Sequence, residues 1–431
     1  MSILDSVDWG KLERDAVALR RDIHKHPEGA WTEFRTSAII AERLEKLGWK
    51  LSVGLDNIDV KSVMGRPDDA VIDSHIERAK AQGGNPAWID RMGKYTGVVA
   101  DMDTGRPGPT VALRFDIDCV DVAEASEASH RPAKEGFASV NSCLTHACGH
   151  DAHTAIGLCV AEALAKLEPS LKGKVRLIFQ PGEEGCRGAY AMVQKGVVDE
   201  ADYFLALHIG GKVPSGVLGL KSLGYLGTAK FDAEFKGRSA HAAAAPQEGR
   251  NALLAAASAT IALHGIAPHR DGPTRVNVGV FNAGTGRNVI PDHALIKAET
   301  RGETKEIADY VYARAMEILK GAAIMYGTEL SVSKMGEGTT ADSDDALAEK
   351  IGEAVRRLGI FKEVRDTAAG TGSEDATWMM RRVQERGGQA VYMALGSDIA
   401  APHHNGSFDI DESAMINGVK AFAAAVAALL S

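Results

Sequence analysis

The chain opens with two helical stretches. Leu12, Ala16, Leu19 and Ile23 repeat at spacings of four, three and four, one face of a helix that Pro27 ends. Thr36 opens a second stretch in which Ile40, Leu44 and Leu47 share a side and Gly48 is the stop. From about residue 56 to 95 the pattern is more polar and less regular, with a short surface helix in "DDAVIDSHIERAKAQGG", and reads as an excursion from the core. The period then shortens. "YTGVVADMDTG" and "TVALRFDID" are β-branched apolar runs, "AIGLCVAEALAKL" is helical, "GKVRLIFQ" is a strand, "GAYAMVQKG" a helix and "YFLALHI" a strand. Such alternation predicts a mixed, largely parallel sheet with helices on both faces, an α/β fold.

From about residue 225 the grammar changes. "TAKFDAEFKG" alternates as a half-exposed strand, "NALLAAASATIALHGIA" is a helix, and "TRVNVGVFNAG" and "NVIPDHALIKAETRG" are strands around a Gly-rich turn. A long helix, "KEIADYVYARAMEILKGAAIMYG", and the strand "TELSVSKM" follow. The order β-α-β-β-α-β is that of a ferredoxin-like α+β domain. After about residue 338 the α/β pattern resumes to the end, closing on an Ala-rich amphipathic helix. The expected organisation is therefore one domain over 1–223 and 338–431, with 224–337 inserted in it.

Composition narrows the classes. Of 431 residues, 45% are apolar and 25% charged, and the net charge is −9 without a charged tail. No basic footprint for nucleic acid is expected. No uninterrupted apolar window of about 18 residues suggests a membrane partner. "MSILDSVDWGKLERD" has no basic start followed by an apolar stretch, so no signal peptide is expected. Five irregularly spaced cysteines argue against a disulfide framework and for the reducing cytoplasm.

Ligands in open α/β sheets bind beyond the carboxyl ends of the strands. "VALRF" ends there in Asp116 and Asp118, "VRLIFQ" leads to Glu183 and Glu184, "YFLAL" ends in His208, and "AVYMALG" leads to His403 and His404. "LTHACGHDAHTA" adds Cys148, His150 and Asp151 where a loop meets a helix. Each alone has an ordinary reading as a loop or surface residue. Their coincidence at one sheet edge points to a metal site, and mixed imidazole, thiolate and carboxylate donors suit zinc, manganese, cobalt or nickel. Two ions can share a water and polarise a carbonyl, with a carboxylate as base. Consecutive Glu183 and Glu184 can divide ligand and base between them, and spacing does not say which does which. A Cys148–His150 nucleophile pair leaves the distant glutamates and histidines without work. A redox pair lacks CxxC spacing, and a structural zinc site is normally richer in cysteine.

The segments "LRFDID", "HACGHDAH", "FQPGEEG", "LHIG", "GRSAHAAAAPQEGRNA", "GRNVIPDHALIKAETR", "GTGSEDA" and "HHNGSFDIDE" resemble, in this order, the M20 metallopeptidase/amidohydrolase family. The likeness is to its N-acyl amino acid amidohydrolases, which carry a cysteine in the metal motif. It implies a zinc-exopeptidase-like sheet domain, an inserted dimerisation domain and two divalent ions, Mn²⁺ or Zn²⁺. It implies Cys148, His150, Glu184, His208 and His404 as ligands, with Cys148 bridging. Counting back from "FDIDE" selects His404, and His403 is the alternative. Glu183 is then the general base and Asp118 orients a ligand histidine. His241 is expected to reach into a neighbouring protomer's site and stabilise the oxyanion. Asn288 and Arg301 are expected to hold the substrate's α-carboxylate, and Gly372 to make a backbone contact near the substrate. His146 and His153 are left with supporting roles. The expected reaction is hydrolysis of an N-aroyl or N-acyl amino acid, p-aminobenzoyl-glutamate first. Indole-3-acetyl amino acids or a broad aminoacylase range are the alternative, and a non-catalytic regulatory chain the remote one. The expected assembly is a homodimer or a complex with a paralogous chain.

Overall fold

The computed structural model describes residues 3–210, 212–370 and 372–431. The chain divides into two compact units: Met1–Gly224 with Ala341–Thr371 and Asp375–Ser431, and Tyr225–Thr340 with Gly372–Glu374. The larger unit supplies strands β1 (Lys50–Val53), β2 (Val98–Asp103), β3 (Thr110–Asp116), β4 (Lys174–Gln180), β5 (Tyr203–Ile209) and β6 (Val217–Leu223). The smaller supplies β7 (Gly227–Lys236), β8 (Thr274–Ala283), β9 (His293–Gly302) and β10 (Glu329–Gly338). The larger then resumes with β11 (Glu363–Ala369) and β12 (Gln389–Leu395).

The larger sheet runs β1-β2-β4-β3-β5-β12-β6-β11. Its centre, β4-β3-β5-β12, is parallel, as is the β6–β11 pair, while β1–β2, β2–β4 and β12–β6 are antiparallel. It is thus mixed and largely parallel. β3 and β12 are buried along almost their whole length, the mark of strands covered on both faces. Val111, Leu113 and Phe115 of β3 share a core with Ile156, Val160 and Leu164 of the helix His150–Leu167. Elsewhere the helix Thr377–Glu385 packs on β12 and β5 and on the helix Ala189–Gln194.

The smaller unit has the antiparallel sheet β10-β7-β9-β8. The helices Ala252–His264 and Lys305–Tyr326 close its core with Phe231, Phe235, Ile296, Ala256 and Leu319. This is the ferredoxin-like order.

Three features depart from the sequence reading. Trp88, Ile89 and Met92 belong to the main core, so the 56–95 segment is packed rather than an outlying excursion. β1, β6 and β11 are additional strands; β11 is a sheet edge with little buried surface, which erases the apolar signal. The last helix, Ser413–Leu430, has a mean hydropathy of 1.6 over 18 residues, enough by length and composition to cross a membrane. Since 72% of that window is buried within the protein, its apolarity is that of a core helix.

Candidate metal centre

Parallel register brings the strand ends level. Asp116 of β3 pairs with Gln180 of β4, and Arg114 of β3 with Ala206 of β5. The chain beyond β4 therefore delivers Glu183 and Glu184 beside Asp116 and Asp118, and β5 delivers His208 at the same height. Gly149 turns the chain into the helix that starts at His150. Its φ is +90°, and a Cβ there would lie 2.6 Å from Ile209 Cγ2, so both conformation and space call for glycine. His404 is held in a left-handed conformation, φ +63°, with its N–H donating to Ala147 O at 2.8 Å, next to Cys148.

The histidine rings are oriented by their own hydrogen bonds. His150 Nδ1 donates to Asp118 O at 3.0 Å, with Asp118 Oδ1 at 3.3 Å. His208 Nδ1 donates to Ile209 O at 2.9 Å. With the proton on Nδ1, each ring presents an Nε2 lone pair, the tautomer a metal requires. His150 Nε2 is buried without a hydrogen-bond partner, its nearest carboxylate oxygens being Asp116 Oδ2 at 3.8 Å and Glu183 Oε2 at 3.9 Å. His208 Nε2 faces Cys148 Sγ at 3.5 Å, and His404 Nε2 lies 3.3 Å from Glu184 Oε1. Donor atoms of Cys148, His150 and His208 lie within 4.8 Å of one another, as do those of Cys148, Glu184 and His404. Cys148 belongs to both sets. Burial of His403 against Phe408, ring centroids 4.9 Å apart, gives it a packing place; it stands in neither set.

The electrostatics ask for positive charge. Burial pushes the Cys148 thiol up, and the Glu184 carboxylate adds to this. Burial works against charge on His150, but Asp116 and the Cys148 sulfur outweigh it and draw a proton onto the ring. Burial lowers His208, with His153 and His403 adding to the effect. Glu184 is lowered despite burial, because His404 and His150 face it. An orphaned imidazole nitrogen amid thiol and carboxylates is the donor set of a borderline divalent cation. These residues fit such ions.

The groups behind the donors do more than the sequence reading assigned. Asp118, fully buried, accepts from the backbone N–H groups of both Glu183 (3.1 Å) and Glu184 (2.8 Å), besides the ring of His150. Asp116 takes Arg114 at 2.7 Å and the His153 Nδ1 proton at 2.5 Å. His153 Nε2 accepts from Ile209 N–H at 2.9 Å and so fixes the strand end carrying His208. Further back, Arg20 joins Asp151, Asp409 and Glu412, while His24 joins Asp151 and Glu124. A histidine recurring three residues after His150 was the available signal for His153.

The remaining predicted residues lie in the smaller unit. His241 is exposed, and its Nδ1 accepts from the N–H groups of Ala243 and Ala244. Its segment bridges to that of Asn288, with Ala242 N–H donating to Asn288 O at 3.1 Å. Arg301 holds Glu299 through Nε at 2.9 Å and Nη2 at 3.0 Å. A Cβ on Gly372, φ +81°, would sit 3.9 Å from Arg301 Nη1. The structure thus pairs His241 with Asn288 and Arg301 with Gly372.

Residues 112–428 match the model of peptidase family M20/M25/M40. The chain is 50% identical over 406 residues to an indole-3-acetyl-aspartic acid hydrolase of Enterobacter agglomerans, covering 94% of this chain and 93% of the relative. It is 49% identical over 406 residues to a p-aminobenzoyl-glutamate hydrolase subunit of Escherichia coli, with coverage of 94% and 93%. The crystal structure of an aminobenzoyl-glutamate utilization protein from Klebsiella pneumoniae superposes with a TM-score of 0.85 at 42% identity, covering 97% and 96% of the two chains. With the family model matched over most of its length and two relatives at about half identity, the chain belongs to peptidase family M20/M25/M40 and is a metal-dependent amidohydrolase.

Proposed function

We propose that this enzyme hydrolyses the amide bond of an N-aroyl or N-acyl amino acid, with p-aminobenzoyl-glutamate as first substrate. Two divalent ions, Mn²⁺ or Zn²⁺, would be held by Cys148, His150, Glu184, His208 and His404, with Cys148 shared. The observation carrying this reading is that the five donors fall into two triads whose common member is the Cys148 sulfur. Ions held there supply Lewis acidity toward the scissile carbonyl and toward water. Glu183 takes the proton of the attacking water and passes it to the departing amine. Asp118 fixes the backbone beneath Glu183 and the tautomer of His150 together.

The smaller unit, over about 224–337, serves in this reading as a dimerisation domain. Exposed Ile261, Ile324 and Met325 and the open edge of β8 support that role. His241 then reaches a neighbouring protomer and stabilises the oxyanion, Asn288 and Arg301 receive the α-carboxylate, and Gly372 offers a backbone contact near the substrate. The neighbour is a second copy or a paralogous chain; the Escherichia coli relative, itself one subunit of a hydrolase, supports the latter. Five cysteines without a disulfide support a cytoplasmic setting.

The relative at 50% identity favours a second substrate, indole-3-acetyl-aspartate, under the same mechanism. Side-by-side kcat/KM on both substrates with metal-loaded protein decides between them. Release of p-aminobenzoate with the larger kcat/KM supports the first. No turnover of either, or turnover unaffected by a chelator, would refute the reading.

A further inference from the structure

The loop Pro181–Ala189 carries both Glu183 and Glu184; its far half closes on itself, Cys186 N–H donating to Glu183 O and the N–H groups of Arg187 and Gly188 to Gly182 O. It runs through left-handed conformations at Gly182, Gly185 and Cys186. The N–H groups of Gly182, Glu183, Glu184, Gly188 and Ala189 also donate to buried carboxylates from distant parts of the chain. Asp118 accepts from Glu183 and Glu184, and Asp375 Oδ2 from Gly188 (3.2 Å) and Ala189 (3.0 Å). Glu33 Oε1 accepts from Gly182 N–H at 2.8 Å.

Glu33 is the unexpected member. It stands at the N-cap of the helix Phe34–Lys46, where an acidic side chain ordinarily satisfies the helix's own free N–H groups. Here its side chain makes no capping bond. Glu28 does that work, accepting from Arg35 N–H at 2.9 Å and Thr36 N–H at 2.8 Å. Glu33 is thereby released toward the loop. It is fully buried, and its other oxygen accepts from Thr96 Oγ1 at 2.5 Å. No Lys or Arg lies within ion-pair distance of it among the described residues. Burial and the nearby Asp118 push its carboxyl up to about 8. A buried carboxyl without a cation depends on its hydrogen bonds, here those from Gly182 and Thr96, to offset the cost of leaving water. One residue separates Gly182 from the end of β4, and Glu183 follows it directly.

We propose that Glu33 is a positioning residue for the general base: by holding Gly182 N–H it sets where the carboxylate of Glu183 stands over the ligand cluster. This rests on the assignment of Glu183 above. Displacing a catalytic group by about 1 Å can cost roughly a hundredfold in rate.

The test compares Glu33→Asp with Glu33→Gln. Aspartate keeps the carboxyl and falls one methylene short of Gly182. Glutamine is neutral at every pH and keeps an oxygen at the same reach, while its NH₂ can donate to the Thr96 hydroxyl. In Glu33→Asp, kcat is expected to fall about a hundredfold with KM and metal content unchanged. Hydrogen exchange of the peptide spanning 180–189 is expected to quicken at least about tenfold. Glu33→Gln is expected to stay within a few fold of the wild type in both. The proposal is overturned if Glu33→Asp retains wild-type kcat and loop protection, if Glu33→Gln is as impaired as Glu33→Asp, or if activity is lost in step with metal content. Should the wild type itself turn over neither substrate, the functional reading fails, while the exchange data still decide what Glu33 holds.

Discussion

Replacing His24 by leucine removes a buried cation with little change in volume. Nδ1 of His24 meets Asp151 Oδ2 at 2.7 Å and Nε2 meets Glu124 Oε1 at 2.8 Å. Both carboxylates accept, so the ring donates twice and carries a charge. The groups facing it are those two acids, Arg20 at 3.4 Å, the His146 ring at 6.3 Å and the edge of Phe137 at 5.5 Å. Burial and Arg20 push the imidazole down, and the bonds to Asp151 and Glu124 more than reverse this, so its pKa is raised. Two charge-assisted hydrogen bonds contribute roughly 3–6 kcal/mol. Asp151 keeps Arg20 and Glu124 keeps His130, which places the expected loss near the lower end. The larger unit has roughly 300 residues. At about 2.1 cal/mol/K each, about 3–4 kcal/mol lowers its melting temperature by roughly 5–6 °C. A raised folded-state pKa gives stability fully present below the ordinary histidine pKa and lost as pH rises through the folded value. The gap between wild type and His24→Leu should therefore be widest near about pH 6 and narrower near about pH 9. Calorimetry of both proteins in the same metal state measures it. A gap below about 1 °C at the lower pH, or one that widens with pH, would refute the assignment of a buried imidazolium.

Three further outcomes follow from the site. Glu183→Gln should lower kcat by about 10²–10⁴-fold at unchanged metal content; full turnover would reassign the base. Cys148→Ser should weaken both ions together, since the sulfur is common to both triads, by at least about tenfold in competition with a chelator; loss of one ion alone would show that the sulfur is not shared. Gly188→Ala would put a Cβ 1.7 Å from Pro181 O, displacing the base loop, and should cost about 1–3 kcal/mol or more together with activity; unchanged melting and rate would contradict the packing.

Residues that announce themselves by type at strand ends were legible in the sequence. Strong apolar runs located β3, β4, β5 and β12, and those runs point to the edge where Asp118, Glu183 and His208 gather. The β-α-β-β-α-β order of the smaller unit was legible for the same reason. Supporting groups were not. Glu33 carries no sequence signal and Asp375 stands only as one acid in "GTGSEDA", because a carboxylate accepting from a backbone N–H 149 or 186 residues away leaves no local pattern. His153 is expected in a supporting role without a named partner, since the Ile209 N–H that donates to it is 56 residues away. β11 gives no signal because an edge strand with exposed Glu363, Asp366 and Thr367 carries no apolar period.

The rings of His150 and His208 each direct Nδ1 at a main-chain carbonyl, with the buried Asp118 carboxylate beside that of His150. A coordination cage tied to the backbone would exist as soon as the sheet closes, so folding is expected to precede loading, unlike in a zinc finger, whose fold waits for its ion; a chelated sample that keeps a cooperative melt checks this. A cage built in advance fixes ligand type and geometry, and among the borderline cations that fit both, availability decides. Which ion occupies it then becomes a matter of cellular supply, and preparations of one sequence grown on different media will differ in specific activity until their metal is exchanged to a common one.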